Sequence, residues 1–514
     1  GGGLKYKHLF SGPIGIFSSL EAKATKNIKI KLEYSSEDRA RYSHYIENIS
    51  DNNINYGLDY NLNNHVKLSL YNTAGQEIGM QMNISAAPSS IFSGDYLEPV
   101  PKPFYSSPLE QNSRTIPNLI EGLKQEKIEV IAYKQRNNEF TIVIENSHFS
   151  SNTQAIGRTL RLMSVYVDLN YDIFNVILSS YGIPVSKLSI NRNDVISTID
   201  APNAELFTSM ITKLSDAPSI IKSAEINQDR SKFSWSVLPY YKFHFFDPDK
   251  PLYYDFGPRV KFGYYPKSGI TFQGSLIKSI YTTFNEIKRG TKGNLPKVRT
   301  NLKNYANITD SRIEELILSS YFKLSKNIYG RSTVGYLEQM YAGISSELLY
   351  KPMTDNFAFG AELNYVKGRE FKQLIGFRNV HGLSKLNGHI SGYFDTNYYD
   401  YIAQLDYGKY LAGDKGYTLK LTRDFRNGWK VGGFFTVTNA SHADFGEGSF
   451  DKGIFLSFPL NPLMPYETRS SLNEKIRPIQ GDGGARLEVS GRLYPLINDK
   501  SKNNIRKTWP KIWR

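Results

Sequence analysis

Apolar and polar positions alternate with a period of two along most of this chain, the spacing that sends successive side chains to opposite faces of a strand. The alternation runs through Ile28–Tyr34, Ile54–Tyr60, Val66–Tyr71 and Ile78–Ile84, separated by Asn, Asp, Ser and Gly clusters. Residues 1–86 therefore read as strands of an incomplete N-terminal barrel or sheet, since a single-chain membrane barrel needs about eight. Another chain, or a segment upstream of Gly1, is expected to complete it. Pro88, Pro99, Pro101, Pro103 and Pro108 then punctuate a stretch that no central strand tolerates, so residues 87–114 read as a linker.

The period changes over residues 115–228. Leu119–Lys124 reads as helix, Ile128–Tyr133 and Phe140–Ile144 as strands around Arg136-Asn137-Asn138, and Ala155–Val165 as helix with Ser151 or Asn152 as cap. Ile173–Leu178 returns to strand and Ala204–Leu214 to helix. This is the pattern of a small α/β domain.

From residue 229 to 497 the strand period runs almost unbroken. Phe357, Phe359, Ala361, Leu363 and Tyr365 oppose Ala358, Gly360, Glu362 and Asn364, and Tyr399–Tyr407 repeats the pattern. About 12 to 14 strands fit, with Tyr and Phe near strand ends, as in an outer-membrane antiparallel barrel. The polar insert Glu286–Ser311 suits an external loop or one folded into a lumen. In Arg486–Tyr494, Leu487, Val489 and Leu493 share one face, and Arg486, Glu488, Ser490 and Arg492 the other. As the last strand, it is expected to close the barrel with its apolar face to lipid. Residues 498–514 read as a basic tail.

Composition narrows the choice. The 40% apolar content and the absence of an 18-residue apolar run exclude a helical membrane protein. The net charge of +14 is spread along the whole chain without a nucleic-acid motif, so nucleic acid is not expected as a partner. With no cysteine there is no disulfide, thiol nucleophile or Cys-based metal site. The chain opens at Gly1-Gly2-Gly3 without an initiator Met, signal peptide or acylatable cysteine, and is expected to be a mature or truncated piece.

Several longer motifs occur in order: Phe246–Asp255, Gly335–Gly343, Gly408–Asp414, Phe425–Trp429, Asp444–Gly453 and Arg477-Pro478-Ile479 through Arg492. Together they resemble the YjbH/GfcD-like outer-membrane proteins of exopolysaccharide and group 4 capsule operons, over most of the chain from about Gly12. The resemblance implies an outer-membrane barrel lipoprotein that secretes or assembles surface polysaccharide, with two barrels joined by a periplasmic α/β region. Its expected partners are outer-membrane lipid, polysaccharide and export proteins. The family's N-terminal strands and lipid-bearing cysteine have no counterpart before Gly1.

Candidate chemistry is sparse. Asp444, Glu447 and Asp451 beside Lys452 could form a glycosidase carboxylate pair, but Gly446, Gly448 and Gly453 more simply mark an inter-strand loop. Gly481-Asp482-Gly483-Gly484 lacks the Lys-Ser/Thr of a phosphate loop and reads as a turn. The His residues show no metal spacing, and no cofactor is expected. If the apolar faces meet lipid, Arg259, Lys261, Glu362, Arg423, Arg486, Glu488 and Arg492 line the lumen, where they could hold a glycan or stiffen the wall as an ion-pair lattice. The chain is accordingly expected to be a non-enzymatic outer-membrane protein that holds or passes a glycan. The rival readings are a glycan-modifying enzyme with lumen carboxylates and a soluble carbohydrate-binding protein.

Overall fold

The computed structural model describes residues 15–36, 52–62, 66–84 (74 and 76 apart), 114–199, 201–219, 224–227, 232–245, 250–287, 293–301, 304–305, 310–445, 450–461, 468–477 and 481–514. The expected linker, Arg114 apart, and Glu447 lie outside them. The chain divides into two units, residues 1–96 and 97–514.

In the first unit Phe17–Lys23, Ile28–Ser35, Ile54–Asn61, Val66–Thr73 and Glu77–Ile84 form an antiparallel meander. Register places Leu20 opposite Leu32, Ile30 opposite Leu58 and Leu70 opposite Met80, so the apolar side chains share one face. These six residues are exposed. The other face carries Asp59, buried between Lys31 at 3.0 Å and Lys67 at 3.4 Å.

The second unit begins with an α/β body. Its sheet runs in the order Lys213–Asp216, Ile183–Asn191, Ile173–Ser180, Glu139–Asn146, Ile128–Arg136 and Glu225–Ile226. Glu139–Asn146 and Ile173–Ser180 pair in parallel, which requires a crossover, and the helix Asn152–Tyr166 supplies it. Ser151 caps this helix by accepting from the Thr153 amide, and Thr115 caps Ile116–Gln125 through the Asn118 amide. The strand Ile183–Asn191 and helix Arg192–Thr198 had no sequence expectation.

Next comes, among the described residues, an antiparallel wall of thirteen strands: Phe233–Phe245, Leu252–Lys267, Ile270–Ile277, Arg312–Ser325, Ile328–Tyr336, Tyr341–Tyr350, Phe357–Arg369, Leu386–Asp395, Tyr401–Lys409, Lys415–Asp424, Lys430–Thr438, Asp451–Pro459 and Ser471–Ile476. Two short strands, Tyr281–Thr282 and Phe377–Arg378, pair off this path. The result is a large, nearly closed barrel. Its outer face carries exposed Val260, Phe272, Leu318, Ile344, Leu363, Ile390, Leu405 and Leu421, while alternate positions hold buried Thr271, Ser319, Arg331, Ser345, Glu362 and Asp406. Such a wall is inside out relative to a soluble protein.

The α/β body sits on one rim. Lys323 donates to the carbonyls of Pro184 and Ala217, the Met353 amide to Asp216, and the Gly269 amide to the Tyr181 carbonyl, all within 3.0 Å. This near rim holds the tight hairpins, whereas the insert after Ile277 lies at the far rim.

Two sequence expectations fail at the C-terminus. Residues 486–494 form no wall strand: the wall ends at Ile476, and the chain turns back at Asp482–Gly484. Leu487, Val489 and Leu493 are buried against protein rather than lipid-facing. Nor is 498–514 a free basic tail. It forms the helix Lys502–Lys507 and a final turn, and Ile505, Trp509, Ile512 and Trp513 join the core of the α/β body. Gly157 marks how close that approach is, because a Cβ there would lie 1.4 Å from the Ile512 carbonyl oxygen.

Candidate functional site: the lumen and the chain that crosses it

After the last wall strand the chain crosses the lumen from far rim to near rim. Asp482 fixes the entry: its carboxylate accepts from the amides of Arg299 and Thr300 and from the Thr300 hydroxyl at 2.6–3.0 Å. The Gly484 amide donates to Asp414, and the Leu411 amide to the Ala485 carbonyl. The described middle of the insert that had two sequence readings, residues 293–301 and 304–305, folds inward here. Val298 and Tyr305 pack with Leu487 and Val489, and Arg299 bridges Glu338 and the Arg486 carbonyl.

Mid-lumen, the crossing segment is held by ions. Glu362, projecting inward from the strand Phe357–Arg369, accepts from Arg492 at 2.6 and 3.0 Å. Arg486 lies 3.6 Å from the same carboxylate and 3.0 Å from Asp406. Arg331 connects Glu347 at 3.1 Å to Glu362 at 3.8 Å. Both oxygens of Glu347 receive the Leu493 amide. Each buried charge therefore has an opposite partner, the condition under which burial is tolerated. At Gly491 the backbone takes φ +74°, and a Cβ would lie 2.0 Å from the Tyr321 hydroxyl, so glycine alone passes this constriction.

The segment then reaches the near rim. Tyr494 stacks on Tyr393 at 3.7 Å. Asp499 takes Arg469 at 2.7 Å and the Asn152 amide group at 2.8 Å. Burial alone would raise the Asp499 carboxyl, but Arg469 and Lys500 carry it far below the usual carboxylate range. Trp509 donates to the Glu205 carbonyl and Trp513 to Thr208.

Of the lumen residues expected from sequence, Glu362, Arg486 and Arg492 come together in this lattice. Arg259 pairs separately with Glu314 at 2.8 Å. Arg423 is not in the lumen. It follows Leu419 and Leu421 on the outer face, where its guanidinium lies within 5.7 Å of the ring centres of Tyr399, Tyr401 and Phe425. Sequence reasoning missed Arg331, Glu347, Asp406, Arg299 and Glu338. Only Asp406, a strand charge between Leu405 and Tyr407, carried a local signal, since such a charge is costly unless it faces an interior partner; Arg299 and Glu338 lie in loops, and Arg331 and Glu347 have Gly330, Ser332 and Ser346 beside them.

The loop carboxylates do not converge. Asp444 accepts from Ser441 and Asn294. Asp451 begins a wall strand and is buried against Arg477 at 3.0 Å. Lys452 is exposed, its ammonium over the Phe450 ring.

Among the described residues no ladder joins the first wall strand to the last. Beside that seam lies a cavity of about 800 Å³, lined by Lys242, Lys261, Glu315, Lys475, Arg477 and Glu488 together with Tyr240, Tyr241 and Phe243. It is the part of the lumen that the crossing segment leaves open.

The family described as YjbH, exopolysaccharide biosynthesis protein YbjH, matches residues 1–499. A curated relative, the uncharacterized lipoprotein YjbH of Escherichia coli (strain K12), is 32% identical over 279 residues, or 54% of this chain and 40% of the relative. The match thus spans less than half of that relative's length. Among solved structures, OmpT, an outer membrane protein of Vibrio cholerae, aligns at a TM-score of 0.22 and 10% identity over 44% of this chain and 80% of its own. A likeness at that level assigns no fold.

Proposed function

Because the chain belongs to the YjbH exopolysaccharide biosynthesis family, we propose that it is a non-enzymatic outer-membrane barrel protein that holds a glycan during polysaccharide assembly or export. The apolar outer face of the wall against its polar interior supports membrane insertion, since only a closed or nearly closed barrel spans a bilayer with strands. The α/β body then lies on the periplasmic side, where short hairpins belong, and the far rim, from which the insert folds back into the lumen, lies on the outer side. One observation carries the choice of holding over passing: residues 482–493 occupy the lumen and are ion-paired to its wall. The glycan is held in the seam cavity, where tyrosine faces and mixed charges offer stacking and hydrogen bonds. Asp451 is tied to Arg477 and Asp444 to Ser441, so these two loop carboxylates do not face each other across a sugar, which favours the non-enzymatic reading.

The test is deletion of the natural gene followed by complementation with the wild type or with Lys242→Glu/Lys475→Glu. The expected result is loss of surface polysaccharide with intracellular precursor intact, restored by the wild type and not by the double variant at equal outer-membrane abundance. Full restoration by the double variant would remove the cavity from the proposal. Cleavage of the isolated polysaccharide by purified protein would overturn the non-enzymatic reading.

A further inference from the structure

The helix Ala204–Ile211 of the α/β body is two-sided. One side docks on the C-terminal tail: Trp509 donates to the Glu205 carbonyl, and Trp513 to the Thr208 hydroxyl. The other side carries Leu206, Phe207, Met210 and Ile211, spaced so that they share one face. Met210 is 72% exposed, Leu206 56% and Phe207 51%, and exposed Ile196 on the adjoining helix Arg192–Thr198 extends the patch. Contiguous large apolar side chains open to water on a two-turn helix need a partner.

The tail fixes where this face lies. Its helix Lys502–Lys507 is pinned to the near rim of the barrel: Asn503 donates to Asp395 and Asn397, the Lys502 amide to the Met353 carbonyl, and Lys507 to the Asp424 carbonyl. Two residues later Trp509 grips the apolar helix. The same rim carries exposed Tyr398, Tyr399 and Trp429 beside Arg423, the aromatic and basic mixture found where a barrel wall meets lipid headgroups. Lys213, Lys502 and Arg506 sit beside the helix, around a small cavity shared with Trp509.

We propose that the Leu206, Phe207, Met210 and Ile211 face lies in the headgroup and acyl boundary of the same bilayer that surrounds the barrel, with Lys213, Lys502 and Arg506 facing lipid phosphates. The occupant is lipid because the helix is tied through Trp509 to a tail pinned at the rim of the apolar wall and because the flanking charges are cationic, the pattern of an interfacial amphipathic helix. This rests on the membrane reading of the wall. The α/β body is then held to the membrane independently of the barrel rim, which fixes its orientation.

The chain has no cysteine, so single-cysteine variants report one place each. Met210→Cys and Leu206→Cys, with Ile390→Cys on the wall and Glu121→Cys on the far helix Ile116–Gln125 as references, are labelled with bimane in nanodiscs of phosphatidylethanolamine and phosphatidylglycerol. Brominated acyl chains should quench the labels at 210 and 206 nearly as strongly as that at 390 and leave that at 121 bright, while iodide should quench only 121. Quenching at 390 without quenching at 210 and 206 overturns the proposal alone. No bromolipid quenching at 390 overturns the membrane reading beneath it. Protection of 210 and 206 from both quenchers shows a protein cover and also overturns it.

Discussion

Glu362→Gln should release the crossing segment from the lumen. The substitution keeps size and shape but leaves Arg492 without its charged partner, strips Arg486 to Asp406 alone, and leaves Arg331 with Glu347. Glu362 is 6% exposed, so solvent does little to screen these contacts. Removing one member of a buried ion pair costs about 3–5 kcal/mol, and the lower end applies here because Gln still accepts a hydrogen bond. At about 3 kcal/mol the population with the segment detached rises roughly 100-fold. Trypsin cleavage after Arg486 measures that population when cleavage is slower than reclosing. Purified protein in nanodiscs should be nearly inert after Arg486 in the wild type and cut roughly 100-fold faster in Glu362→Gln. Glu121→Gln, on an exposed helix face, should behave as wild type. Adding Arg492→Gln to Glu362→Gln should cost less than the two single changes summed, because the second change removes a charge already left unpaired. If Glu362→Gln and wild type are cleaved after Arg486 at the same rate, the lattice does not hold the segment.

Four further outcomes follow from the same contacts. Gly157→Val places side-chain atoms where the Ile512 carbonyl now sits, and should free the tail, seen as a red shift of tryptophan emission and new trypsin cutting after Arg506. Trp513→Ala removes a nearly buried ring and its hydrogen bond to Thr208, and should cost the α/β body about 3–5 kcal/mol in urea unfolding. The depressed Asp499 carboxyl stabilises tail docking at any pH above the unfolded value near 4, and that contribution is lost as pH falls further; protease sensitivity should therefore rise below about pH 4 in the wild type, and Asp499→Asn should be sensitive already at neutral pH. Ile390→Lys, on the exposed outer face, should lower folding into bilayers by about 2–4 kcal/mol at mid-depth, which heat-modifiable gel mobility would register.

The wall was legible because each strand has one solvent on each side. Phe357–Tyr365 alternates without error, and the structure exposes the odd residues and buries Ala358, Gly360, Glu362 and Asn364. Arg486–Leu493 carries the same alternation for another reason. It is an extended chain crossing a polar lumen, with Leu487 and Val489 against the folded insert and Arg486 and Arg492 against wall carboxylates. Period two reports an extended backbone with two unlike sides, not which neighbour each side meets. Gly491 at positive φ and Pro495 just beyond were the local signs against a strand. Arg423 failed differently. Parity alone sends it outward with Leu421, but charge suggested the lumen; at a strand end an arginine can lie across aromatic rings at a rim instead. Asp406 stood on the polar face of its strand yet gave no sign of its partner, because Arg486 is 80 residues away in sequence.

The path of the C-terminus follows from strand parity. Antiparallel strands alternate in direction, so thirteen of them leave the chain at the rim opposite the one where it entered. It enters from the α/β body at Phe233 and therefore leaves the wall at the far rim after Ile476. Yet that body needs Ile505, Trp509, Ile512 and Trp513 to complete its core. The remaining route on the protein side of the wall is the lumen. A segment taking it must satisfy a polar interior while staying extended, which demands cations opposite Glu362 and Asp406, an amide toward Glu347 and a glycine beside Tyr321. Among the described residues the odd count also makes the first and last strands run the same way, so these two edges cannot join by the antiparallel ladder used in the rest of the described wall. The seam, the cavity beside it and the filled lumen are thus three consequences of one topological fact. Appending one more wall strand would deliver the chain to the near rim outside the barrel, and should leave the lumen to the folded insert alone, seen as a larger single-channel conductance in planar bilayers.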